Sequence, residues 1–254
     1  MVVYALNDYF SQFMKTVILI PARFKSSRFP GKPLAKILGK EMIIRVLEIC
    51  NKLFDKKKIF VATDDLKIKD FVIKNKFNVV LTSKKCLTGT DRIAQASKRI
   101  NSDIFINVQG DEPLISPRDI KKIIKAKKKY PNAVICGYTK LKNNENANNK
   151  NIPKVVINQK SDLIYISRSP IPGQKNNKRN LKYLKQVCIY AFNKKELNKF
   201  YNFGKKSDLE KIEDIEILRF FEIGIPIKMI LLSKSSIAVD VKTDIKNVEK
   251  YLQK

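Results

Sequence analysis

Histidine is missing from all 254 residues, and with it go Ser-His-Asp and Cys-His nucleophilic systems and any histidine-ligated metal site. Tryptophan is also absent, and acidic residues are scarce, 24 against 52 lysines and arginines. The four cysteines (50, 86, 136 and 188) lie far apart with no C-x-x-C spacing and mostly within apolar stretches. They read as reduced structural thiols of a cytoplasmic protein, and zinc is not expected. The eight glycines (31, 39, 89, 110, 137, 173, 204 and 224) include no pair two apart, which disfavours a dinucleotide-binding fingerprint. No apolar run approaches membrane-spanning length, and no signal-peptide pattern opens the chain. Neither a membrane nor a nucleic-acid partner is expected. The net charge of +28 is spread from end to end, for instance at Lys56–Lys58, Lys127–Lys129, Lys182, Lys185 and Lys254, a pattern of solvated faces more than of a binding groove. A basic nucleic-acid-binding protein stands as the different-class alternative.

Against these absences stands one dense feature. The apolar run Val17–Ile20 empties into Pro21-Ala-Arg-Phe-Lys-Ser-Ser-Arg-Phe-Pro-Gly-Lys-Pro33, which carries two arginines, two lysines and a glycine. A strand end fixes where such a loop begins, glycine lets backbone approach a ligand, and cations with free N–H groups surround phosphate oxygens. The loop is not a Walker loop, since Ser26 and Pro33 stand where that motif needs glycine and Ser or Thr. A nucleoside triphosphate is the ligand it suits.

Strand-like runs at 17–20, 59–62, 79–81, 104–108 and 133–138 alternate with amphipathic patterns at about 41–53, 66–75, 91–100 and 117–129. The alternation predicts an α/β fold with a doubly wound, mostly parallel sheet. Ligands of such sheets sit at the carboxyl ends of the strands, where loops 21–33, 63–65, 82–91 and 109–113 would converge. Beyond residue 138 the rhythm changes to a polar Asn-rich stretch and short strands at 154–158, 163–167 and 186–192, read as a small inserted β-rich lobe over about 139–192. A helix over 208–223, strands over 227–231 and 237–241 and a closing helix over 244–253 follow. Residues 1–13 precede a second methionine, Met14; they are either an extension upstream of the native start or a short amphipathic arm.

A second constellation, Asn107-Val-Gln-Gly-Asp-Glu-Pro113, closes the strand 104–108 and would expose Asp111 at the sheet edge as a Mg²⁺ ligand. Mg²⁺ takes only one or two protein carboxylates, and Asp240, in Ile237-Ala-Val-Asp240, is the best second one. Glu210, Glu213 and Glu216 recur at three-residue spacing and read by themselves as a solvated helix face, with Arg219 a partner for Glu216.

Together with Val61-Ala-Thr-Asp64, Thr88-Gly-Thr-Asp-Arg92, Pro153-Lys-Val-Val156, Ser167-Arg-Ser-Pro-Ile-Pro172 and Glu213-x-x-Glu-x-Leu-Arg219, these blocks resemble the 3-deoxy-manno-octulosonate (Kdo) cytidylyltransferases over residues 15–253. The resemblance implies a nucleotide-diphospho-sugar transferase-like fold, a single cytidylyltransferase domain over 15–254, and a homodimer formed through the lobe. It implies transfer of CMP from CTP to the anomeric hydroxyl of an acidic 3-deoxy sugar, with release of pyrophosphate, for lipopolysaccharide or capsule synthesis. By the same resemblance Arg23, Ser26, Ser27, Arg28 and Lys32 would hold the triphosphate. Ala22, Thr88, Gly89 and Thr90 would read cytidine, and Gln109 would lie between nucleotide and sugar. Asp111 and Asp240 would bind Mg²⁺, while Arg168, Gln186, Tyr190, Glu213 and Glu216 would meet the sugar, Arg168 pairing with its carboxylate. One departure stands out: the family usually reads Lys-His-x-Gly-Ile-Tyr where this chain has Lys185-Gln-Val-Cys-Ile-Tyr190. That difference leaves 8-amino-Kdo or another ulosonic acid open as the acceptor.

Overall fold

The structure is a computed structural model that describes residues 14–25, 28–143, 145–175, 181–233 and 237–253. Residues 1–13, Ser26 and Ser27 therefore lie outside the described residues. The first strand, β1 (Thr16–Ala22), explains the architecture: Val17 and Leu19 enter one apolar cluster and Ile18 and Ile20 enter another, so both of its faces are buried. A strand covered on both sides reads as a continuous apolar run and belongs in the middle of a sheet sandwiched by helices.

The sheet is built from β1, β4 (Ile59–Thr63), β5 (Asn78–Leu81), β6 (Ile104–Val108), β7 (Val134–Lys140), β10 (Leu184–Asn193) and β11 (Ile227–Leu231), in the order β11-β7-β10-β6-β1-β4-β5. All neighbours on this path are parallel except β10, which runs antiparallel to both β6 and β7. The short strands β2 (Lys36–Ile37) and β3 (Lys40–Glu41) form a separate hairpin. Residues 139–192, expected as an inserted lobe, contribute β8 (Lys154–Ile157), β9 (Leu163–Ser167) and most of β10, and β10 itself lies inside the main sheet. Its start pairs with β8 and its end with β6, so the segment is joined to the sheet through one continuous strand. A bulge between Val187 and Tyr190 breaks the β10 register opposite Gly137. A Cβ on Gly137 would run into the Leu232 side chain and lie 3.0 Å from Ile189 Cγ2 and 3.1 Å from the Val187 carbonyl oxygen, which leaves that position to glycine.

The helices are α1 (Met42–Asn51), α2 (Leu66–Lys74), α3 (Gly89–Ser97), α4 (Pro117–Lys129), α5 (Lys194–Asn202), α6 (Asp208–Glu213), α7 (Ile217–Glu222) and α8 (Asp244–Leu252). Their starts carry the expected chemistry: Asp65 and Ser116 cap α2 and α4, and α3 and α5 begin with capping boxes.

Three expectations differ. The helix over 208–223 is two helices, because Asp214 adopts a left-handed backbone (φ 48°) and turns Ile215 into the core. Arg168 stabilises this break by donating to the carbonyls of Glu213 and of Asp214, the latter at 2.9 Å, which satisfies groups that a continuing helix would have paired. Residues 237–240 form no strand; the Val239 N–H is instead bonded to the Asp111 carbonyl at 2.9 Å. Helix α5, unforeseen, was signalled by Asn193-x-x-Glu196 ahead of Leu197 and Phe200.

The core also buries one ion pair remote from the crevice. Lys127 Nζ lies 2.7 Å from both carboxylate oxygens of Glu196 and donates to the carbonyls of Pro131 and Ala133. Burial lowers the Lys127 pKa and raises that of Glu196, each opposed by the other's charge. Lys127→Met should destabilise the fold by about 3–5 kcal/mol in urea melts by stranding Glu196, and adding Glu196→Gln should recover much of the loss. A single-mutant cost below about 1 kcal/mol would contradict this account.

Candidate active site

The carboxyl ends of β1 and β6 open into a cleft of about 800 Å³. After β1 the chain makes a closed loop: Gly31, left-handed at φ 70°, returns its N–H to the Phe24 carbonyl at 2.8 Å. Arg23, Lys25 and Arg28, all exposed, point their charge into the cleft together with the partly buried Lys32. Ala22, also on the lining, is buried at the strand end.

The turn after β6 presses against that loop's root. A Cβ on Gly110 would lie 3.0 Å from the Pro21 carbonyl oxygen, so glycine is what allows Asp111 and Glu112 this close to β1. Lys32 Nζ donates to Asp111 Oδ2 at 2.5 Å and to the Val239 carbonyl at 2.9 Å. Asp240 follows directly, its N–H and that of Val241 held by Asp244 Oδ2 at 2.8 and 2.9 Å. Arg28 Nη2 reaches Asp240 Oδ1 at 3.2 Å, with the two side chains 59% and 46% exposed, so this pair contributes little stability and is free to exchange partners. Glu112, which sequence reasoning did not select, is buried on the lining. Burial, reinforced by the charges of Asp111 and Asp240, pushes its carboxyl up to about 8.

Another wall is the turn Thr88-Gly89-Thr90 at the start of α3. Thr88 caps the helix by accepting the Asp91 N–H at 3.2 Å, and Asp91 Oδ2 accepts the Thr88 N–H at 2.9 Å in return. Gly89 and Gln109 line the cleft, whereas Thr88 and Thr90 are buried behind it. Glu216 is brought to the same turn, its Oε2 accepting the Thr90 N–H at 2.9 Å. Burial raises the Glu216 pKa, partly offset by these hydrogen bonds. Arg92, also unselected, is fully buried on the lining and pairs with Asp64 at 3.1 Å.

On the β10 side Gln186, Cys188 and Tyr190 line the cleft, Cys188 on the bulge. Gln186 Nε2 donates to Tyr190 Oη at 3.1 Å, and burial, helped by neighbouring Cys188 and Glu216, drives the tyrosine pKa well above its usual range. Arg168 also borders the cleft, but its guanidinium is engaged by the carbonyls of Lys150, Glu213 and Asp214. Pairing with a sugar carboxylate would cost some of those bonds. Glu213 is not on the lining among the described residues; its carboxylate takes the Ser167 hydroxyl at 2.6 Å and the Arg168 N–H at 2.8 Å. Lys150, Asn151, Asp214 and Ile215 complete this side and were not anticipated.

Asp111, paired with Lys32, and Asp240, paired with Arg28, line the same cleft and suit Mg²⁺. No group of three or more His, Cys, Asp or Glu side chains among the described residues forms a protein cage, but Mg²⁺ commonly uses one or two carboxylates and fills its shell with water and phosphate oxygens. The cation already seated on Asp111 shows that the position favours positive charge.

The raised pKa of Glu112 has a consequence for stability. In the fold this carboxyl keeps its proton to about pH 8, while in the unfolded chain it ionises near 4.5, so the unfolded state binds fewer protons between these values. Metal-free protein should therefore lose stability as pH rises through that window, and Glu112→Gln should flatten the trend in urea melts. Parallel pH profiles for the two proteins would contradict the assignment.

Comparison with known proteins agrees with this geometry. A family model described as cytidylyltransferase matches residues 17–237. The 3-deoxy-manno-octulosonate cytidylyltransferase of Christiangramia forsetii is 36% identical over 94% of this chain and 97% of its own length. That of Escherichia coli is 35% identical over 92% and 94%, and that of Chloroherpeton thalassium 38% over 95% and 99%. A solved CMP:2-keto-3-deoxy-manno-octonic acid synthetase complexed with CTP superposes with a TM-score of 0.87 at 35% identity, covering 94% of this chain and 98% of that one. A cytidylyltransferase from Leptospira borgpetersenii, at 18% identity and a TM-score of 0.62, shares the fold. With strand ends, basic loop and paired carboxylates arranged as described, the chain belongs to the cytidylyltransferase family, among the 3-deoxy-manno-octulosonate cytidylyltransferases.

Proposed function

We propose that this protein transfers CMP from CTP to the anomeric hydroxyl of Kdo, giving CMP-Kdo and pyrophosphate. The observation that carries the reading is the Lys32 contact, which brings the basic loop, the Gly110-Asp111 turn and the Asp240 segment to one mouth of the sheet. Arg23, Arg28 and Lys32 bind the triphosphate, with Ser26 and Ser27 offering hydroxyls on the same loop. Ala22 and the Thr88–Thr90 turn receive cytidine, and Gln109 stands between the two substrates. Gln186, Tyr190 and Glu216 meet the sugar, with Arg168 at its border. The sugar oxygen attacks the α-phosphorus in line while the bond to pyrophosphate breaks, so the protein's task is positioning and charge neutralisation more than covalent chemistry. Lys32 leaves Asp111 to follow the departing pyrophosphate. Asp111 and Asp240 would hold Mg²⁺, which would supply positive charge to the reacting phosphates and make the attacking hydroxyl more acidic.

A homodimer in the cytoplasm is the working state in this reading. Apolar side chains exposed on β9, α6 and α7, Ile164, Ile212 and Phe221 at 50%, 78% and 38%, support self-association. The second reading, a different acidic 3-deoxy sugar, is favoured by Gln186 and Cys188 standing on the sugar side of the lining.

The test is pyrophosphate release by the full chain with CTP and Mg²⁺, with Kdo or its 8-amino analogue as acceptor. Release with Kdo is expected; release only with the analogue would select the second reading, and silence with any ulosonic acid would refute both. Asp111→Asn and Asp240→Asn should each lower turnover by on the order of 10²-fold or more with unchanged urea melts. Full activity in either would remove that residue from the metal site.

A further inference from the structure

Arg219 is fully buried in α7, and its guanidinium is shared between two carboxylates from different parts of the chain. Nε and Nη2 donate to Glu210 at 2.6 and 2.7 Å, and Nη1 and Nη2 donate to Asp91 at 2.8 and 3.2 Å. One flat face lies over the Phe200 ring, 3.8 Å from its centroid, which leaves the edges of the fork for pairing. Asp91 is the same carboxylate that fastens the Thr88 N–H and hydroxyl at the start of α3. Glu210 likewise accepts the Ser207 N–H at 3.1 Å at the start of α6.

The two ends of this bridge carry two walls of the cleft. Gly89 lies two residues before Asp91, and the link Asp214–Glu216 joins the helix that holds Glu210 to the helix that holds Arg219. A second tie, Thr90 N–H to Glu216, crosses the same gap. None of Asp91, Glu210 and Arg219 is itself on the lining. Buried ion groups of this kind are weak sources of stability, since apolar replacements of similar volume often do as well, whereas a planar fork with fixed donor directions is a strong geometric constraint.

We propose that Arg219 is a positioning residue: its fork sets the spacing between the Thr88–Thr90 turn and the 214–216 link, and so between the nucleotide and sugar halves of the cleft. Naming the halves rests on the proposed function; the spacing does not.

Arg219→Lys keeps the charge and removes the fork. Amide hydrogen exchange on the substrate-free full chain, read beside KM for CTP and kcat with Kdo, tests the proposal. Exchange at residues 89–91 and 215–217 should rise about tenfold while α4 is unchanged, and KM for CTP should rise about tenfold with kcat altered much less. Unchanged exchange at both walls, or an equal rise in α4, would overturn it, as would unchanged KM. If Arg219→Lys does not fold, Asp91→Asn, which retains an acceptor for the Thr88 cap, is read by the same criteria. Wall-specific exchange changes in a protein whose wild type releases no pyrophosphate would refute the transferase reading and leave the positioning role standing.

Discussion

The amino group of Lys32, placed between the Asp111 carboxylate and the Val239 carbonyl, is the contact on which the cleft depends. Three acids, Asp111, Glu112 and Asp240, crowd that point, and their mutual repulsion has to be answered. The fold answers it with a cation on Asp111, another on Asp240 and a Glu112 that keeps its proton. Such an arrangement is poised for exchange. In the proposed reading the same carboxylates would hold Mg²⁺ and Lys32 would turn to phosphate, groups that the fold has already oriented.

The scaffold earns this geometry through close approaches more than through stability. Gly110 lets the Asp111 turn touch the Pro21 carbonyl, and Gly137 makes room for the bulged β10 beside β7, where Gln186, Cys188 and Tyr190 line the cleft. At the far wall Arg168 ends α6 by taking its last carbonyls, which turns Asp214–Glu216 inward.

Where structure follows from local pattern, the sequence was legible. β1, β4 and β6 read directly because central parallel strands are apolar on both faces, and the basic loop and Asp111 read because both sit at strand ends. What was not legible came from distant partners. The break at Asp214 depends on Arg168, 46 residues away, and an apolar pattern that continues across it gives no warning. Residues 237–240 carry strand-like side chains, yet the Val239 backbone bonds to Asp111 and Lys32 and the Asp240 N–H to Asp244. Glu210 reads from sequence as part of a solvated helix face and Arg219 as a partner for Glu216; both are instead buried, Arg219 paired with Glu210 nine residues away and with Asp91 128 residues away. Glu213 carried a family expectation of sugar contact and instead caps Ser167 and Arg168. Glu112 had a signal in its position beside Asp111, but its burial was visible only in the fold.

The most direct measurement follows the phosphorus. With CTP labelled at the α-phosphate, Kdo and Mg²⁺, the label should pass from CTP into CMP-Kdo, still joined to cytidine, while label at the γ-phosphate should leave as pyrophosphate. Label from the α-position appearing in free CMP with no sugar adduct before it, or γ-label appearing as single phosphate, would contradict cytidylyl transfer in this cleft.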